Sequence, residues 1–144
     1  MAEKKNGVAK TYYDIEKKLL LVEEYFIFNG NKEGEYKSYY KNRKLYEICN
    51  YRNDNIEGEY KSYHDNGQLQ EICKYYRNKK DGVYKSYYNN GKLWELCNYK
   101  NGKVKGEYKS YHKNGKLRNI LNYRWGYLHR TVIKYDENGE IYNY

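Results

Sequence analysis

The sequence predicts an all-β fold: an elongated, single-layer antiparallel meander of 24-residue β-hairpin repeats forming an open, solenoid-like sheet. Three observations predict it. Gly34, Gly58, Gly82 and Gly106 stand at equal steps of 24, and a fixed period between about 20 and 50 residues marks stacked repeats. Asn66-Gly67, Asn90-Gly91, Asn114-Gly115 and Asn138-Gly139 lie between β-prone runs, the strongest short-range hairpin signal. The apolar content is dominated by 23 Tyr, against 2 Phe, 2 Trp and 1 Met. A tyrosine ring carries a hydroxyl that must be wet or hydrogen-bonded, which suits a thin sheet better than a thick core.

In chain order, residues 1–9 are polar and expected to fray. Residues 10–33 read as a degenerate first unit: Leu21 falls where Leu93 falls, Glu23 where Glu95 falls, and Asn29-Gly30 where Asn101-Gly102 falls. In it Lys17-Lys18-Leu19 replaces the Asn-Asn-Gly turn, and Leu19 to Leu21 with Tyr25 to Phe28 make it the most apolar copy. Such a divergent first unit suits a cap or an oligomer contact. Units 34–57, 58–81, 82–105 and 106–129 follow, then a partial unit 130–144, and together 10–144 form one repeat domain of about a dozen strands. Helix is not expected, since no window holds a 3.6-residue period and Gly and Asn recur every dozen residues.

The third unit illustrates the expected register. If Asn90-Gly91 is a two-residue type I′ loop, Tyr88 faces Leu93, Ser86 faces Glu95, Tyr84 faces Cys97 and Gly82 faces Tyr99. Alternation then places Tyr84, Tyr88, Leu93, Cys97 and Tyr99 on one face, with Lys85, Tyr87, Trp94 and Leu96 on the other. The Tyr99 ring is expected to lie over Gly82, as rings do over strand glycines. Asn42-Arg43 predicts a looser first turn, and any bulge shifts these assignments. A second turn at Asn101-Gly102 joins one hairpin to the next.

Formal charge is +9, from 28 basic and 19 acidic residues. Because the two signs are interleaved, a solvated surface competes with attraction to nucleic acid or anionic membranes. No run approaches the roughly 18 apolar residues of a membrane span. The start, MAEKKNGVAK, has no apolar h-region, so the chain reads as intracellular and cytoplasmic. Absence of Pro, scarce Ala and abundant Lys, Asn, Tyr and Ile fit an AT-rich coding sequence.

The frame Gly58, Tyr60, Tyr63, Asn66, Gly67, Leu69 and Tyr75, then Gly82, and again from Gly82 to Gly106, resembles the MORN repeat. It is most similar to the variant subtype found in arrays in bacteria and in large DNA viruses, whose proteins would place it in a host cytoplasm. The resemblance covers residues 10–144 and implies a sheet of successive hairpins, often slightly curved, used as an interaction scaffold. It also brings a proposed affinity of some members for phospholipids, an antitoxin label on some bacterial ones, and no catalytic residue. Arg43 and Arg130 depart from it at glycine positions.

Three constellations invite chemistry, and each has a structural reading. Cys49, Cys73 and Cys97 would lie two strands, about 9.5 Å, from one another, too far for a disulfide or a shared zinc. They read as small, reduced, half-buried thiols, with no metal or cofactor. His64 and His112 alternate with Tyr40 and Tyr88 at one repeat position and lie too far apart to cooperate; no activated nucleophile neighbours them. Glu47, Glu71 and Glu95 face Ser38, Ser62 and Ser86, and a Glu–Ser or inter-unit Glu–Tyr hydrogen bond explains the row better than acid–base catalysis.

The chain is therefore not expected to be an enzyme. One reading is a scaffold for a protein partner or for self-assembly, using a tyrosine-rich face (Tyr60, Tyr84, Tyr108, Tyr75, Tyr99) or a strand edge. The other is a basic binder of nucleic acid or anionic lipid, in which Lys61, Lys85 and Lys109 meet phosphates beside the rings of Tyr87 and Trp94 on the opposite face.

Overall fold

The computed structural model describes residues 6–15 and 18–142, and among these there are strands and turns but no helix. One antiparallel sheet contains every strand. Its path runs β1 (Gly7–Ile15), β2 (Lys18–Phe28), β3 (Asn31–Tyr39), β4 (Leu45–Arg52), β6 (Gly58–Tyr63), β7 (Leu69–Tyr76), β9 (Gly82–Tyr87), β10 (Leu93–Lys100), β11 (Lys103–Tyr111), β12 (Leu117–Arg124) and β13 (Tyr127–Lys134). Two short segments, β5 (Asn55–Ile56) and β8 (Lys79–Lys80), pair with β4 and β7. They continue β6 and β9 across a bulge. The substitute turn at Lys17 lies outside the described residues, while the β1–β2 hairpin around it extends the sheet, Val8 pairing with Phe26 and Ile15 with Lys18.

The two kinds of connection fall on opposite margins. Along one margin lie two-residue loops such as Asn101-Gly102, between paired Lys100 and Lys103. Both loop residues have positive φ, 52° and 79°, the type I′ signature whose twist matches that of the strands. Asn53-Asp54 and Arg77-Asn78 adopt the same conformation without glycine.

The other margin differs from expectation. The Tyr88 amide donates to the Lys92 carbonyl at 2.8 Å, and the Gly91 amide to the Tyr88 carbonyl at 2.9 Å. The loop is therefore three residues long, Asn89-Asn90-Gly91, a type I turn closed by a residue in the left-handed region, with Gly91 at φ 80°. One position further, Tyr87 pairs with Leu93 and Ser86 with Glu95, so Trp94 is an extra residue in β10. The longer loop shifts the register by one and the bulge shifts it back. Tyr84–Cys97 and Gly82–Tyr99 pair as expected, whereas Tyr88 does not face Leu93. Leu93 and Trp94 exchange faces: Leu93 joins Tyr87, and the Trp94 ring lies 5.6 Å from that of Tyr88.

Two further expectations are corrected. The Tyr99 ring does not cover Gly82: nothing lies within 4 Å of the point a Cβ would occupy there, and the ring meets Tyr84 at 5.4 Å instead. The glycine serves the backbone. Gly82 has φ 110°, at the bulge between β8 and β9, where the Asp81 amide reaches back to the Lys74 carbonyl at 2.9 Å. Nor is the Asn42-Arg43 turn looser, because the Tyr40 amide still bonds the Lys44 carbonyl at 2.9 Å, with Arg43 held at φ 68°.

Candidate interaction surfaces

Each hairpin builds one cell of a thin core on the tyrosine face. The first-strand tyrosine pairs across the ladder with a small residue: Tyr36 with Cys49, Tyr60 with Cys73, Tyr84 with Cys97. A second tyrosine meets its ring edge-on, at 5.5 Å for Tyr36–Tyr51, 5.5 Å for Tyr60–Tyr75, 5.4 Å for Tyr84–Tyr99 and 5.8 Å for Tyr108–Tyr123. This T-shaped geometry sets a positive ring edge against a negative face. The thiols are 2–3% exposed and free, and small enough to leave room for two rings.

Hydroxyls tie each cell to the one before it. Tyr36 donates to Glu23 at 2.9 Å, Tyr60 to Glu47 at 2.7 Å and Tyr108 to Glu95 at 2.5 Å, while the Tyr84–Glu71 bond is longer, at 3.4 Å. Ser86 also donates to Glu95 at 3.2 Å. Both roles expected of the carboxylate row are therefore present. Lys80 ion-pairs with Glu71 at 2.7 Å and stands 4.2 Å above the Tyr84 ring. Lys32 likewise stands over Tyr25, Tyr36 and Tyr51 at 4.2, 4.8 and 5.3 Å. Burial, then the neighbouring thiol and carboxylates, pushes the Tyr99 hydroxyl up to about 12. Burial followed by the adjacent glutamate pushes the Cys97 thiol up to about 11 and Cys49 and Cys73 to about 12.

Side chains stitch the three-residue loops into a second ladder. Asn42, Asn66, Asn90 and Asn114 each donate their amide to a carbonyl 23 residues on, at 2.7–3.2 Å. The same amide oxygens accept from the backbone N–H two residues on, as at Lys92. Tyr40 and Tyr88 donate their hydroxyls to the carbonyls of Tyr63 and Tyr111, while His64 and His112 approach those of Tyr87 and Tyr135 through Nε2 at 2.8 and 3.0 Å. A carbonyl only accepts, so Nε2 carries the proton in both histidines. The Tyr/His alternation exchanges two donors of similar reach.

The candidate residues thus divide. Tyr60, Tyr84, Tyr108, Tyr75 and Tyr99 belong to the packed core cluster; what they present to solvent is the remainder of a ring already in contact. Trp94 is 42% exposed beside Tyr88. On the opposite face, Lys61 pairs with Glu59 at 2.5 Å and Lys109 with Glu107 at 2.6 Å, as Lys37 does with Glu35. Lys85 has Val83 at the equivalent place, 52% exposed. The structure does not bring the lysine row and Trp94 together. Tyr46, 40% exposed and 5.0 Å from Tyr40, occupies the same bulge position as Trp94. It was legible only to a reading that found the bulge.

No curated protein matches the chain. No helix among the described residues is long and apolar enough to cross a membrane. The MORN repeat variant family matches at residues 32–53, 56–78, 80–101 and 104–124, each segment opening two residues before a repeat glycine. Repeats of this kind typically bind proteins or membranes and are not enzymes. With four matches spanning more than half of its length and the hairpin meander that carries them, the chain belongs to the MORN repeat variant family.

Proposed function

We propose that this chain is a non-catalytic scaffold that holds a protein partner or further copies of itself. The observation supporting this reading over a basic nucleic-acid or lipid binder is the pairing of Lys37, Lys61 and Lys109 with the glutamates two residues before them. A row built to meet phosphates needs unneutralised cations and a steep salt dependence. Here the charge is largely spent within the strand. Aromatic side chains remain outside the core, among them Trp94, Tyr46, Tyr76 and Tyr127 at 42, 40, 53 and 75% exposure, the residue types that anchor protein interfaces. Within the described residues, β1 and β13 each have one strand neighbour, and an unpaired strand edge templates further pairing.

Gel shift with single-stranded RNA and flotation with anionic vesicles, over a salt series, test the choice. Replacing Lys37, Lys61, Lys85 and Lys109 together with Gln is expected to leave any retention unchanged. A loss of about tenfold or more on that replacement overturns the scaffold reading in favour of the basic binder. For the 144-residue chain, light scattering is expected to show association that grows with concentration; a strict monomer removes the self-assembly branch.

A further inference from the structure

The repeat pattern breaks on the tyrosine face of one unit, and it breaks in one electrostatic direction. In the earlier units a serine on the first strand pairs with a glutamate on the second: Ser38–Glu47, Ser62–Glu71 and Ser86–Glu95. In the last full unit and the partial unit that follows it, the corresponding positions hold cationic or neutral groups. Asn119 stands where the glutamates stand and bonds Ser110 at 2.9 Å. Lys134 takes the serine position of the following strand and pairs with Asn119 across the ladder. Arg118 takes the bulge position held by Tyr46, Gln70 and Trp94.

These changes line a single concavity of about 1010 Å³, against about 430 Å³ for the hollow two units earlier. Lys113, Arg118 and Lys134 stand on its wall with one acid, Glu137. Among the described residues neither Lys113 nor Arg118 has an ion-pair partner. The smaller hollow also holds one acid, Glu71, but Lys113 is the one cation on its wall. Tyr88, Tyr135 and Tyr142 supply ring surface to the larger one, and Leu121 and Leu128 apolar lining. Its volume lies at the upper end of the range of small-molecule sites, roughly 300–1,000 Å³. Cations set beside aromatic rings match a ligand that carries both negative charge and a flat ring, because guanidinium groups grip phosphate and rings stack on planar bases.

We infer that this concavity is a binding site for a soluble phosphate-bearing ligand with a planar ring, of the nucleotide class. Arg118 and Lys113 hold the phosphates, and the tyrosines hold the ring. Asn119 is the specificity device: a glutamate there would set a carboxylate beside the bound anion. The site stands apart from the scaffold reading, which survives its failure.

Titration calorimetry at low salt, with ADP, pyrophosphate and adenosine as probes, tests the site. ADP is expected to bind more tightly than either fragment. Arg118→Gln is expected to weaken ADP by about tenfold, the loss of one charge-assisted contact. Asn119→Glu restores the residue present at this position in four other units (Glu23, Glu47, Glu71 and Glu95), so it is expected to keep the circular dichroism and melting temperature while weakening ADP at least as much. Lys61→Gln, which touches an ion-paired lysine on the other face, is expected to change nothing. The inference is overturned if ADP shows no binding near about 1 mM, or if Lys61→Gln weakens it as much as Arg118→Gln. Binding confined to vesicles bearing phosphoinositide, with none to ADP, also overturns it.

Discussion

Tyr60 donates its hydroxyl to the carboxylate of Glu47 in the preceding hairpin at 2.7 Å, a bond between the neighbouring strands β6 and β4, which belong to different hairpins. It joins neighbouring cells of a sheet in which no large side chain of the described residues is fully buried. Nearest-neighbour terms of this kind set the cooperativity of a repeat array. Tyr60→Phe keeps the ring and leaves the half-buried carboxylate short of a donor. It is expected to destabilise the protein by about 1–2 kcal/mol in urea unfolding. Glu47→Gln, which still offers an acceptor, is expected to lose less than Tyr60→Phe. Equal losses would show that the hydroxyl–carboxylate bond is not the link.

His64 and Tyr88 make the same contact with different chemistry, each bonding a carbonyl 23 residues on. His64→Tyr is therefore expected to stay within about 0.5 kcal/mol of the parent, as a substitution that preserves a partner. His64→Ala, which strips the Tyr87 carbonyl of its donor, is expected to lose about 1 kcal/mol. Thermal melts of the two variants decide it, and a tyrosine as damaging as alanine would show that the imidazole does something the hydroxyl does not.

Much of this architecture was legible because the repeat states it several times. The glycine period marks the unit, and the pairing of Ser86 with Glu95 and Tyr84 with Cys97, expected from a two-residue loop, holds because the bulge at Trp94 offsets the longer loop. What the sequence hid was a pair of compensating irregularities. A three-residue loop and a two-residue loop share the Asn-Gly signature, and only the hydrogen bonds from Tyr88 and Gly91 distinguish them. Once the loop is one residue longer, Trp94 must be the bulge, and the lysine–tryptophan surface expected from strict alternation dissolves. The neutralised lysines had a visible sign, a glutamate two residues before each of Lys37, Lys61 and Lys109, the same-face spacing of a strand.

The packed thiols and hydroxyls set a pH dependence with a definite sign. Burial raises Cys97 from 9.0 to about 11, Cys49 and Cys73 from 9.0 to about 12, and Tyr99 from 10.0 to about 12. Each folded value lies above the unfolded one, so the unfolded chain releases its protons first as pH rises. The stability these groups contribute is complete below pH 9 and is lost progressively between about 9 and 12. The denaturation midpoint is expected to fall steadily over that window. At pH 8 the thiols are protonated and buried, and iodoacetamide is expected to label them only after unfolding. Rapid labelling of the native protein at pH 8 contradicts this.

Among the described residues, Arg43 is the one that holds the closing left-handed position of a long loop without being glycine. Gly67, Gly91, Gly115 and Gly139 fill it elsewhere at φ 80–92°, while Arg43 sits at φ 68°. A side chain in that region costs about 1–2 kcal/mol, and the hydrogen bonds of the loop are already complete, at 2.9 Å from both Tyr40 and Arg43. Arg43→Gly therefore relieves strain without removing a bond. Glycine also loosens the unfolded chain, which offsets part of the gain. The net expectation is a stabilisation of about 0.5–1 kcal/mol, read as a raised melting temperature. The reverse change in a sister loop, Gly91→Ala, has the opposite sign for two reasons. It imposes the left-handed cost on a Cβ, and it sets that Cβ 3.0 Å from the Gln68 side-chain oxygen of the neighbouring loop. If both variants move stability in the same direction, the backbone conformation of the loop is not what selects glycine there.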